Sequence, residues 1–156
     1  MSIRLAIILI FALIVAAGAV LVSRSQIRPP VALEEPKEYL YRLDPFAITN
    51  VSVQQGSMVQ NFRMGPDETW VFTDENIAVS PERWGGVVTL LAEPSARRRV
   101  MDVIDDPALY GLDSPSISIT TGLSDGQELT IHLGNPTPTG DDVYAQLEGY
   151  DILYMV

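Results

Sequence analysis

Five aspartates stand where carboxylate chemistry could be built: Asp105-Asp106, Asp125 and Asp141-Asp142. Such groups offer hard oxygen ligands to Ca²⁺ or Mg²⁺, or the acid and base of a hydrolase. None follows the D-x-[DN]-x-[DN]-G order of a calcium loop. Each adjoins a Gly, a Pro or another turn residue, so turn formation and solubility account for them. His132 is the sole histidine. Its neighbours Ile131 and Leu133 alternate toward a core, which turns His132 outward as a surface residue. Arg97-Arg98-Arg99 could grip a phosphate or carboxylate. Three consecutive strand residues splay to both faces, however, which favours pairing with the domain's own acids. Trp70 and Trp84 lie in apolar periodic settings that suit a core better than a ligand platform. Asn50-Val51-Ser52 has the form of a glycosylation sequon and nothing more. Without cysteine there is no thiolate, disulfide or Cys-based metal site. No G-x-G-x-x-G, P-loop, H-E-x-x-H or G-x-S-x-G is present. The sequence therefore supports no catalytic, cofactor-binding or metal residue, and the expectation is a non-enzyme.

The elements that would carry any site fall into four parts. After residues 1–4 comes Leu5–Val22, 18 residues without a polar side chain, of which 12 are Leu, Ile, Val or Phe. As a helix it would cover about 27 Å, close to the hydrocarbon thickness of a bilayer. Its summed insertion preference is roughly −4 to −7 kcal/mol. The reading is a transmembrane helix retained as an anchor. The alternative is a signal peptide cleaved near Ala17-Gly18-Ala19. Ala12, Ala16 and Ala19 make a small-residue stripe that ordinary membrane composition explains as well as helix pairing does. Residues 23–38 are polar and Pro-rich, an extended spacer. Residues 39–156 form the domain. The default orientation is N-in/C-out in a single-pass protein, with a bacterial plasma membrane as the expected location. Seven basic residues against 20 acidic ones follow position 28, a net charge of −13. Such a body is repelled by phosphate backbones, which argues against nucleic-acid binding.

Within the domain, Phe46–Val53 alternates with an irregularity at Thr49-Asn50, and Met58–Met64 returns as its partner. Thr69–Thr73 is rich in β-branched and aromatic residues, a third strand. Ser80-Pro81 opens a helix with Trp84, Val87, Val88 and Leu91 on one stripe, ending at Pro94. Gly85-Gly86 inside it costs about 2 kcal/mol relative to Ala-Ala. Arg97–Ile104 is ambiguous between strand and helix. Asp106-Pro107 starts a helical turn that Gly111 stops. Ile117 to Leu133 reads as a hairpin closed by Asp125-Gly126, and Val143–Leu147 with Ile152–Val156 as a second. The expected class is α+β: a small domain of antiparallel hairpins and meander with one main helix, behind a transmembrane segment.

Trp70 in a strand, the Pro-led helix with Val87-Val88 and Leu90-Leu91, and the run Tyr110-Gly111-Leu112-Asp113 with Pro115 carry a resemblance. So do Leu133-Gly134, Val143-Tyr144 and Leu153-Tyr154. In that order they resemble a bacterial family known as domain of unknown function 4340, over about Val51 to the end and at the N-terminal anchor. The resemblance implies membrane-anchored proteins with repeated extracytoplasmic α+β units, some beside transporter components. It implies no catalytic residue. This chain holds about one unit, as a fragment or truncated product would.

The function expected from these readings is a membrane-anchored, protein-binding accessory or scaffold module, with an exposed strand edge as a ready docking surface. The alternative is a domain for a small ligand or envelope glycan that uses Trp70 or Trp84. The expected partners are the lipid bilayer, through Leu5–Val22, and a membrane or envelope protein, with no cofactor.

Overall fold

Alternating side chains and turn residues set most of the path of the domain. The structure, a computed structural model, describes residues 37–84 and 86–156. Its strands are β1 (Glu38–Tyr39), β2 (Ile48–Gln55), β3 (Met58–Met64), β4 (Trp70–Phe72), β5 (Ser95–Ala96), β6 (Arg98–Met101), β7 (Ile117–Leu123), β8 (Glu128–Pro136), β9 (Val143–Leu147) and β10 (Leu153–Met155). Two short α-helices, α1 (Pro81–Trp84) and α2 (Val87–Ala92), and two 3-10 turns, Pro45–Ala47 and Pro107–Tyr110, complete the elements. One antiparallel sheet has the order β4-β3-β2-β7-β8-β9-β10-β6, and β1 pairs with β5 apart from it. The Asp125-Gly126 hairpin forms as its residues dictate. Gly126 takes φ +85°, and the Asp125 carboxylate accepts from the Gln127 N–H at 3.0 Å. The irregularity at Thr49-Asn50 is a register shift between Ile48 and Asn50.

The expected α+β class with one main helix is corrected. The domain is 43% strand against 14% helical, built on one eight-stranded antiparallel sheet. In place of the helix expected from Pro81 to Pro94 stand the two short helices Pro81–Trp84 and Val87–Ala92, with Gly86 as the N-cap of the second. Gly86 has little helix preference of its own and serves as a cap rather than as part of a helical turn. The membrane and transmembrane-helix readings are corrected too. Among the described residues no helix is long and apolar enough to cross a membrane. The longest, α2, has six residues, about 9 Å against a hydrocarbon core of about 30 Å. Leu5–Val22 and the Ala12, Ala16, Ala19 stripe lie outside the described residues. The single-pass, N-in/C-out location has no support among the described residues.

Cross-strand partners share a face. On one face stand Val51, Phe62, Thr121 and Leu129, with Ile119, Ile131 and Leu147 in the next row. Toward β4 this face packs with Ile48, Trp70, Leu91 and Ala92. Toward β10 it packs with Leu40, Ala96, Ala145 and Tyr154. Tyr144 and Leu153 point the opposite way and build a third cluster with Ile104, Leu112 and Tyr110. Tyr110 meets the Tyr144 ring edge-on at 5.0 Å between centroids. Elsewhere that second face is a ladder of polar side chains, among them Ser52, Thr120 and Thr130, with Gln54, Ser118, His132 and Gln146 beside them.

The segment Lys37–Leu43 crosses the first face. Leu40 N–H donates to the Pro94 carbonyl at 3.0 Å and Leu43 N–H to that of Ala92 at 2.8 Å. Tyr41 places its hydroxyl beside that of Thr121, both buried and neither completing a well-formed hydrogen bond. Burial raises the Tyr41 phenol above its ordinary 10.0, while the Thr121 hydroxyl pulls it the other way. A raised value in the folded state means that the folded chain holds a proton which the unfolded chain releases. The resulting stability is complete below the unfolded value and is lost as pH rises through the folded one. Urea midpoints measured from pH 8 to 11 are expected to fall more steeply for the parent than for Tyr41→Phe.

Candidate functional site

The exposed strand edge expected as a docking surface is not the last strand of the meander. The last strand, β10, lies between β9 and β6. The sheet ends at β4 and β6, and β4 covers only Phe62–Met64 of β3, so among the described residues no strand pairs with the outer edge of Met58–Gln60. Along β4, Phe72 N–H donates to Ile77 and Val79 N–H donates to the Trp70 carbonyl, at 2.9 and 2.8 Å. Along β6, Arg99 N–H donates to the Glu38 carboxylate at 3.2 Å. These contacts blunt parts of the β4 and β6 edges.

Beside β4, however, the fold leaves an aromatic cleft of about 440 Å³, lined by residues that include Phe46, Met64, Glu68, Trp70, Trp84 and Val88. Three local structures build it. Asp44 caps the turn Pro45–Ala47 by accepting from Phe46 N–H at 3.0 Å, with Pro45 at the first turn position. That turn is tied down by Leu43 N–H to the Ala92 carbonyl and by Ser124 N–H to the Ala47 carbonyl, both at 2.8 Å. Phe46 is thereby held out on a fixed backbone and is 90% exposed. The second structure is the turn between β3 and β4. Gly65 N–H donates to Thr69 and Glu68 N–H to Gly65, at 2.8 and 3.1 Å. Hydrogen bonds from the Thr69 hydroxyl and then from backbone N–H groups hold the Asp67 carboxyl below the ordinary carboxylate value. The third is the helix pair. Trp84 at the end of α1 stacks obliquely on Phe62 at 4.4 Å and on Trp70 at 5.5 Å. Val88 and the 71% exposed Leu90 come from α2. The Trp84 indole Nε1–H is buried with no hydrogen-bond partner. A smaller cleft of about 200 Å³ shares Glu68, Trp70 and Trp84 with the first.

The residues singled out in the sequence have separate fates. Trp70 and Trp84 belong to the core, as expected, and also form the wall of the cleft. Asp106 caps Ala108 at 3.1 Å and Asp125 caps Gln127. Asp142 pairs with Arg97 at 2.9 Å. Arg99 pairs with Glu38 and Asp102 at 3.8 and 3.1 Å, and Arg98 lies against the Met155 sulfur. Among the described residues no three His, Asp or Glu side chains converge as a metal site would require. His132 meets the Ser118 hydroxyl through Nδ1 at 3.0 Å on the polar face. Asn50 turns its side chain over Gly122, where an added Cβ would collide with it, so packing absorbs the apparent sequon.

Phe46 was the residue that sequence reasoning missed, because alternation with Ile48 turned it inward. The signal was Asp44-Pro45, a capping residue followed by a proline, which marks a turn start rather than a strand. No protein-family model, curated protein or solved structure matches this chain.

Proposed function

We propose that the domain is a protein-binding accessory module, one subunit of a larger assembly, and that its contact surface is the aromatic cleft with Phe46 at its rim. The observation that carries this reading is Phe46 itself, a large apolar ring 90% exposed on a capped and tethered turn. An aromatic fixed in place loses little side-chain freedom on binding, so its contact area converts efficiently into affinity. Leu90 extends the apolar surface beside it. The resemblance of Tyr110–Pro115 to a family of repeated units points the same way, toward a module that works by contact.

Selection of a random peptide library on the full-length protein tests this. The expected result is an enriched peptide family whose binding weakens about tenfold or more in Phe46→Ala, the loss of one exposed aromatic anchor. That variant keeps its fold because Phe46 supports nothing beneath it. No enrichment, or enriched peptides that bind Phe46→Ala as well as the parent, would remove the reading.

A further inference from the structure

Phe46, Trp70 and Trp84 line the cleft together with Glu68. Ring faces carry the negative end of the aromatic quadrupole, so a cation held between rings and a carboxylate is attracted by both. The same chemistry already operates within the fold, where the Arg42 guanidinium lies over the Tyr39 ring at 4.1 Å.

Glu68 supplies a second and independent observation. It sits at φ +61°, in the left-handed region. Gly or Asn fills such a turn position at less conformational cost. The turn's own hydrogen bonds use the Glu68 backbone and the Asp67 carboxylate, and they ask nothing of the Glu68 side chain. A residue that is poor for the turn and idle within it has its use outside, at the cleft that Glu68 helps to line. The wider field agrees, since residues beyond 28 carry a net −13 and would draw a basic segment toward them.

We infer that the occupant of the cleft is a cationic side chain, arginine or lysine, exposed on a basic segment of the partner protein. This rests on the reading of the cleft as a protein-binding surface and gives it a chemical class. The guanidinium or ammonium group lies against the rings with Glu68 as its counter-charge, and its methylene stem covers Met64 and Val88.

The test takes the enriched peptide from the selection and a copy in which each arginine is citrulline and each lysine norleucine. Both are titrated into the full-length protein and followed by tryptophan fluorescence. The charged peptide is expected to bind about tenfold more tightly than its neutral copy, the size of a partly desolvated cation–aromatic contact. Glu68→Gln should remove much of that difference, and added salt should narrow it. Glu68→Asn should weaken binding while raising the thermal midpoint, which separates the side chain's use from any role in folding. An enriched family without arginine or lysine overturns the inference, as does equal binding of the two peptides with Glu68→Gln unchanged. If Phe46→Ala still weakens binding in those cases, the cleft reading survives. If Phe46→Ala has no effect, both fall.

Discussion

Phe62→Ala is expected to lower the unfolding free energy by about 3–5 kcal/mol, the range for truncating a buried Phe. Phe62 is 7% exposed and its ring touches two others, Phe72 at 4.9 Å and Trp84 at 4.4 Å. Each aromatic pair adds about 0.5–1.5 kcal/mol beyond area burial, so the upper half of the range is expected. Small domains hold about 5–15 kcal/mol in total, and the loss is therefore a large share. With a urea slope of about 1–3 kcal/mol per molar, the midpoint should fall by roughly 1.5 M or more. Trp70 and Trp84 are the protein's only tryptophans and both stand in this cluster. Fluorescence should accordingly report a looser indole environment in the variant even before unfolding. Phe62→Leu keeps most of the volume and should lose far less. Equal midpoints for the parent and Phe62→Ala would contradict the packing of helix pair on sheet that shapes the cleft.

Gly134→Ala should lower stability by about 1–3 kcal/mol through overpacking at a site with no flexible neighbour. A Cβ at residue 134 would collide with the Tyr110 carbonyl oxygen and lie 3.1 Å from the Gly111 carbonyl carbon. Everything it meets is backbone, so the turn Pro107–Tyr110 must lift off β8. That movement would draw Leu112 and Tyr110 away from Leu153 and Tyr144 in the third cluster. The comparison is Ser116→Ala in the same connection. It forfeits the one hydrogen bond that the hydroxyl shares between the Leu133 and Gly134 carbonyls at 3.0 and 3.1 Å, worth about 1 kcal/mol net. Thermal midpoints that rank the two variants the other way would show that the turn does not press on β8.

These two sites also show what was legible in the sequence. The hairpin at Asp125-Gly126 and the stop at Gly111, which takes φ +71°, follow from residues adjacent in the chain, and period-two alternation identified β7 to β10. Local chemistry also explains why Ile131 and Leu133 face inward and His132 does not. The close approach of Tyr110 to Gly134 was hidden, because it joins residues 24 apart that only the folded register brings together. The same limit applied to the sheet order. Nothing local says that β7 lies beside β2, or that the chain crosses from β4 at one edge to β6 at the other. Trp70 and Trp84 were each visible as apolar, periodic residues, whereas their meeting with Phe46 around one cleft depends on that order. The helix was overextended for a different reason. Its apolar stripe is genuine, since Val87, Val88 and Leu91 all pack on the sheet, but a stripe does not reveal that Gly86 caps a new helix within it.

Amide and indole chemical-shift mapping of the full-length protein with the enriched peptide tests the central claim most directly. The account predicts that the largest changes fall on Phe46, Glu68, Trp70 and the Trp84 indole Nε1–H, with Ser118, His132 and Thr130 on the opposite polar face left in place. Changes concentrated on that polar face, with the Trp84 indole signal unmoved, would contradict it.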